Sequence, residues 1–238
     1  MDVRSNPGRA ARILAAASVG LLFAPWVHGS LVINELDYDQ VGSDGGEFVE
    51  LFNPSVHSIG LSGYRLSLIN GATASAYRDV ELGTGALAAG SFFVLCGDDS
   101  AVPNCDLDVS PDSNLIQNGA PEAVALYLDG VLLDSVSYEG VVGGFTEGAA
   151  LEVADDNVSA YLSLSRRVDG IDSNDNRADF VLGCATPGYG NIAFGGDCAA
   201  PSSTLAVVPE PAVVWLMGAG LAGLLGRQRS GRRRDTAR

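Results

Sequence analysis

Positive charge and imidazole are what this sequence has least of. All 14 basic residues are arginine, there is no lysine, and the two histidines are His28 and His57. From Ser30 to Val208 the acidic residues, 29 in the chain less Asp2, Glu210 and Asp235, number 26. Against them stand five arginines, Arg65, Arg78, Arg166, Arg167 and Arg177. A field of about −21 repels phosphate backbones and anionic polysaccharide, so nucleic-acid binding is disfavoured. It reads first as a device for solubility. Ser-His-Asp catalysis needs a positioned histidine base; His57, in the loop after Asn53-Pro54-Ser55, has no G-x-S-x-G elbow to serve. Zinc is disfavoured because no C-x-x-C occurs and His57 is the single histidine after the first 29 residues. No sustained helical period runs through the middle of the chain, which removes bundles and coiled coils.

The two ends differ from the middle. Arg4, Arg9 and Arg12 precede an apolar stretch from Ile13 to Phe23, and Val27-His28-Gly29 offers small residues for cleavage before Ser30. Residues 1–29 therefore read as a secretory signal peptide. At the other end Val208-Pro209-Glu210-Pro211 forms a hinge that cannot be continuous helix. Ala212 to Gly226 follows without a charge and then Arg227, Arg229, Arg232, Arg233 and Arg234. At 1.5 Å per residue the apolar run covers roughly 22 Å of a ~30 Å hydrocarbon core, and the arginines hold that end in the cytoplasm. Gly218, Gly220 and Gly223 spell G-x-G-x-x-G, but no strand precedes them; they read as small residues in a membrane helix. This three-part tail resembles the PEP-CTERM sorting signal of exopolysaccharide-producing Gram-negative bacteria. The resemblance implies an exosortase-type sorting protease as partner, transient insertion in the inner membrane, and delivery to the cell surface or extracellular matrix.

Between the ends lie short β-branched and aromatic runs separated by Gly, Asp, Asn and Ser. Strands are expected at Leu31 to Leu36, Glu47 to Phe52, Tyr64 to Ile69, Ser91 to Leu95, Ala123 to Leu128 and Val131 to Tyr138, with weaker ones near Tyr77 to Val80 and Leu162 to Arg166. Asp129-Gly130 between two alternating runs is a two-residue hairpin signal. The pattern is that of an all-β sandwich. Asn34-Glu35-Leu36, Glu47-Phe48-Val49-Glu50-Leu51-Phe52-Asn53 and Leu61-Ser62-Gly63-Tyr64-Arg65-Leu66 resemble the lamin tail domain, an immunoglobulin-like β-sandwich. Weaker matches continue through Gly90, Asn118-Gly119, Asp134, Ser165-Arg166, Asp179-Phe180 and Thr186-Pro187-Gly188 to Asn191. Ala88-Ala89 depart from the pattern before Gly90, and Gly97 to Ser113 reads as an insertion. The resulting division is signal peptide 1–29, lamin-tail-like sandwich 30–195, linker 196–208 and sorting segment 209–234 with a C-terminal apolar helix. The family implies a binding or structural module.

Four cysteines in an exported domain, Cys96, Cys105, Cys184 and Cys198, read as two disulfides with three connectivities open. Local pairing, Cys96 with Cys105 and Cys184 with Cys198, is the simplest. In the chain-entropy account each closed loop contributes roughly 3 kcal/mol. Glu47 and Glu50 offer paired carboxylates for acid and base work, but three apart on a strand they face opposite ways; they read as structural. Calcium is the one cofactor with a candidate site. Asp169, Asp172, Asn174, Asn176 and Asp179 supply hard oxygens in one loop, while Arg177 and Gly183 stand where an EF-hand needs glycine and glutamate. Asp37, Asp39, Asp44 and Glu47 form a weaker acidic group. Asn157-Val158-Ser159 matches a glycosylation sequon, incidental in a bacterium. The reading is an exported, non-enzymatic surface or matrix protein that acts through polysaccharide or protein contacts. The alternatives are a calcium-dependent adhesion module and a metal-assisted extracellular hydrolase.

Overall fold

The computed structural model describes residues 29–201 except 152, 156–160 and 194–197. The expected signal peptide as far as His28, the sequon, the Val208–Pro211 stretch and the sorting segment lie outside the described residues, as does most of the expected linker. Among the described residues no helix is long and apolar enough to cross a membrane.

The domain is an all-β sandwich. In chain order the strands are β1 (Val32–Asp37), β2 (Phe48–Phe52), β3 (Ile59–Gly60), β4 (Tyr64–Asn70), β5 (Ser75–Glu81), β6 (Ala86–Leu87), β7 (Phe92–Cys96), β8 (Leu107–Asp108), β9 (Glu122–Leu128), β10 (Val131–Tyr138), β11 (Leu162–Arg166), β12 (Phe180–Cys184) and β13 (Ile192–Ala193); one helical turn, α1 (Asn176–Asp179), precedes β12. Among the described residues one sheet runs β13-β12-β11-β1-β2-β7-β8, the other β10-β9-β4-β5, and β3 pairs with β6. All pairings are antiparallel except β7 with β8, where the Gly97 to Ser113 insertion adds a short parallel edge.

Period-two alternation sorts the side chains. Val49 and Leu51 of β2, Phe93 and Leu95 of β7, Leu66 and Leu68 of β4, Val124 and Leu126 of β9 and Val136 of β10 meet in the main core. On β1 the inward residues are Leu31 and Ile33, then Leu36 and Tyr38. The change of parity coincides with a bulge between Ile33 and Glu35, where the register with β2 shifts. The bulge keeps both apolar pairs inside and sends Asn34 and Glu35 elsewhere. Tyr38 and Tyr138, one from each sheet, stack with ring centroids 4.2 Å apart.

The Asp129-Gly130 hairpin forms as expected, with φ of 49° and 81° and Val131 paired to Leu128. Cys96 is bonded to Cys105 and Cys184 to Cys198. Strands β3, β6, β8, β12 and β13 have no counterpart in the sequence expectation. Four of them are only two residues long. β12 is hidden by Gly183, yet a Cβ there would come within 2.6 Å of Ser165 Oγ and 3.1 Å of Ile192 O. Close packing of three strands demands the residue that weakens the sequence signal.

Leu126 is fully buried between the sheets, and Val131, five residues on, is 63% exposed. Leu126→Ala is expected to lower unfolding free energy by about 2–5 kcal/mol, and Val131→Ala by less than about 0.5 kcal/mol. Urea unfolding of the two variants checks this register.

Candidate functional site: a buried acidic network around Arg166

Arg166, the last residue of β11, is 1% exposed although it is charged. Its Nε donates to Ile33 O (2.6 Å), Nη1 to Ile171 O (2.9 Å) and Asp179 Oδ2 (3.1 Å), and Nη2 to Asp134 Oδ2 (2.9 Å). Asp172 Oδ1 lies 3.6 Å from Nη1, and the guanidinium sits 4.7 Å from the centre of the Phe180 ring. A guanidinium withdrawn from water is tolerable only when its donors are nearly all met. Arg166 follows Leu164 by two residues and so points inward, toward the opposite sheet. Asp134 comes from β10 of that sheet, at a register shift between Leu132 and Asp134. The pair therefore ties one sheet to the other, and Asp134 Oδ2 also accepts the Ile33 N–H at 2.7 Å.

This arrangement accounts for the acidic loop in which calcium was expected. Asp179 accepts from Ser173 N (2.8 Å) and Oγ (2.6 Å) while contacting Arg166. Asp169 Oδ1 accepts from Asn34 Nδ2 (3.1 Å) and Asn191 N (3.1 Å) on the far side of the loop. Asn176 is buried against the edge of β10: Ser137 N donates to its Oδ1 (3.1 Å) and its Nδ2 donates to Ser135 O (2.8 Å). Asp172 Oδ1 accepts from Asn174 N at 3.0 Å, in a turn where Asn174 is left-handed with φ 57°. Within this loop Asp172 and Asp179 thus share the positive charge of Arg166, while Asp169 and Asn176 bond to other elements.

A second set of carboxylates lines the outer face of the larger sheet. Glu35 is fully buried and accepts from Ser163 Oγ (2.5 Å), Thr186 N (2.9 Å) and Thr186 Oγ1 (3.0 Å). Its cross-strand neighbour Glu50 accepts from Asn34 Nδ2 (3.0 Å) and Gly188 N (2.7 Å). Gly188 holds φ 84°, and a Cβ on it would meet Asn104 Cβ at 2.6 Å, so the loop takes glycine here. Glu47 turns the other way, to Leu115 N (2.6 Å) and Ile116 N (3.1 Å). Glu47 and Glu50 hold different loops and do not act as a pair. Burial pushes Glu35 and Glu47 up to about 7, and Glu50 up to about 9 with Glu35 as the next cause.

Asp37 accepts from Gln40 Nε2, and burial, then the charge of Asp155, hold its carboxyl well above the usual range. The backbone N–H of Asp155 donates to Tyr38 Oη at 3.0 Å. Sequence reading passed over Asp155 and Glu147, acids in weakly patterned segments; Asp134 and Arg166 entered it as strand residues and parts of a family pattern, not as a pair. His57 sits exposed, its carbonyl accepting from Asn53 Nδ2 (2.9 Å) and Ser55 Oγ (2.7 Å). These bonds shape a turn.

Two measurements follow. Arg166→Met leaves Asp134 and Asp179 buried without their counter-charge and is expected to cost about 3–5 kcal/mol in urea unfolding. Glu35, Glu47 and Glu50 hold protons more tightly folded than unfolded. Their contribution is complete below about pH 4.5 and is lost as pH rises through about 7, and through about 9 for Glu50. Melting at constant ionic strength should therefore give a higher midpoint at pH 5 than at pH 8. An equal or lower midpoint at pH 5 contradicts the assignment.

A family model for the Lamin Tail Domain matches residues 26–140, and one for the PEP-CTERM protein-sorting motif matches residues 207–234. No curated protein matches the sequence. Among solved structures, a DUF4876 family protein from Bacteroides thetaiotaomicron is 12% identical and aligns over 71% of this chain and 72% of its own, with a TM-score of 0.49. The lamin-tail match ends after β10, while β11, which supplies Arg166, pairs with β1 inside the same sheet. The chain carries a lamin tail domain and, beyond it, a PEP-CTERM protein-sorting motif.

Proposed function

We propose that this protein is a non-enzymatic binding or structural module, delivered to the cell surface or extracellular matrix and held in the membrane only during sorting. The observation that carries the reading is the PEP-CTERM motif at 207–234, which marks an exported, envelope-associated protein handled by an exosortase-type protein. The sandwich that it delivers supports a structural role. Its buried carboxylates are engaged with loop backbone and with Arg166, and its one described histidine shapes an exposed turn. Two disulfides suit an oxidising compartment. The acidic surface favours neutral glycan or basic protein partners over anionic polymers.

Intact-mass measurement of the protein from the extracellular fraction tests the reading. A carboxy terminus near Glu210 is expected, and replacement of Pro209, Glu210 and Pro211 by alanine should hold the uncut chain in the inner membrane. Full-length chain ending at Arg238 outside the cell overturns the sorting step.

A further inference from the structure

We propose that Asp134, Glu147 and Asp172 form a binding site for one hard divalent cation, calcium in the first instance, beside the Arg166 guanidinium. The site draws on three separate segments: β10, the loop that follows it, and the loop before α1. One oxygen from each carboxylate lies within 4.8 Å of the other two, the single such group among the described residues. That is the span available to two oxygens on opposite sides of an ion with bonds of about 2.4 Å, the calcium range.

Each carboxylate is already aimed by its other contacts. Asp134 Oδ2 is fixed by Ile33 N and Arg166 Nη2, Glu147 Oε1 accepts from Ser135 N at 3.2 Å, and Asp172 Oδ1 accepts from Asn174 N. What remains is the independent sign of a ligand. Asp134 is 1% exposed and its Oδ1 meets no hydrogen-bond partner, nor does the buried Oε2 of Glu147. Buried polar atoms without partners are rare and call for a specific explanation. Here two occur in the same three-carboxylate group.

Charge points the same way. The single positive charge of Arg166 faces Asp134, Asp172 and Asp179, with Glu147 adjoining, so the cluster is left in negative excess. The donor set is all oxygen, which selects a hard ion over zinc or copper. Asp172 is only partly buried, so one side is open for the waters that complete a calcium shell. Magnesium, which demands a near-ideal octahedron at shorter distances, is the less suited ion. An ion here would fasten the residue 147 and residue 172 loops to the free edge of β10. The inference is independent of the module's partner and of its sorting.

The test is calorimetric titration of calcium chloride into the purified, EDTA-stripped full-length protein, together with melting in its presence and absence. One equivalent should bind, and the midpoint should rise at millimolar calcium because the ion binds the folded state alone. Glu147→Gln keeps a carbonyl for Ser135 N and leaves Arg166 untouched; Asp172→Asn changes a side chain that is 20% exposed. Both should abolish the heat and the shift while retaining the wild-type circular dichroism spectrum. If Glu147→Gln does not fold, Asp172→Asn alone gives the readout. Absence of heat and of a shift in the wild type overturns the site. Binding that survives both substitutions but is lost in Asp169→Asn also overturns it, and places the ion in the neighbouring loop.

Discussion

The contact between Arg166 and Asp134 is the constraint on which the rest of this sandwich depends. It joins the two sheets at one end of the core, where both side chains are 1% exposed. An ion pair out of water is a poor source of stability by itself, since desolvation opposes the attraction. It is a strong source of geometry. The guanidinium must find a partner for nearly every N–H, and the chain supplies them by bending residues 167–179 around it, with Ile171 O and Asp179 as acceptors and Phe180 beneath. Lysine, with a point charge and no planar face, could not organise the same surroundings.

The excess of acid, which reads as surface charge, is partly interior. Glu35, Asp37, Glu47, Glu50, Asp134, Asp155 and Asp179 are all buried. Most serve as acceptors for backbone N–H groups that a loop over a sheet would otherwise leave unmet. Thr186 and Gly188 are held to the outer face of the larger sheet in this way, and Leu115 and Ile116 are held against the core by Glu47. The same device covers the exposed edge of β10, where the side chains of Glu147 and Asn176 meet Ser135 and Ser137 in place of another strand. Stability that rests on such groups responds to protons.

Among the described residues the buried carboxylates mostly hold loops and the opposite sheet in place. The sorting motif concerns where the protein goes. The sandwich gives a rigid frame, closed by two disulfides, from which loops such as Asn53 to Ser58 and Gly97 to Ser113 project.

The strand runs, the Asp129-Gly130 hairpin and the alternation that separates core from outer face were legible in the sequence, because each is set by residues within two or three positions of one another. The tail and its sorting pattern were legible for the same reason. What tertiary structure decided is the fate of the polar residues. Asn34, Glu50, Asp169 and Asn191 form one network although residues 34 and 191 are 157 positions apart. The clustered acids of residues 169–179 are neighbours in sequence, but Asp169 bonds to Asn34 and Asn191 while Asp172 and Asp179 face Arg166. The three carboxylates that do converge come from positions 134, 147 and 172, with no spacing to announce them. A carboxylate's role is fixed by the nearest donor in space, and nothing local in the chain says which donor that will be.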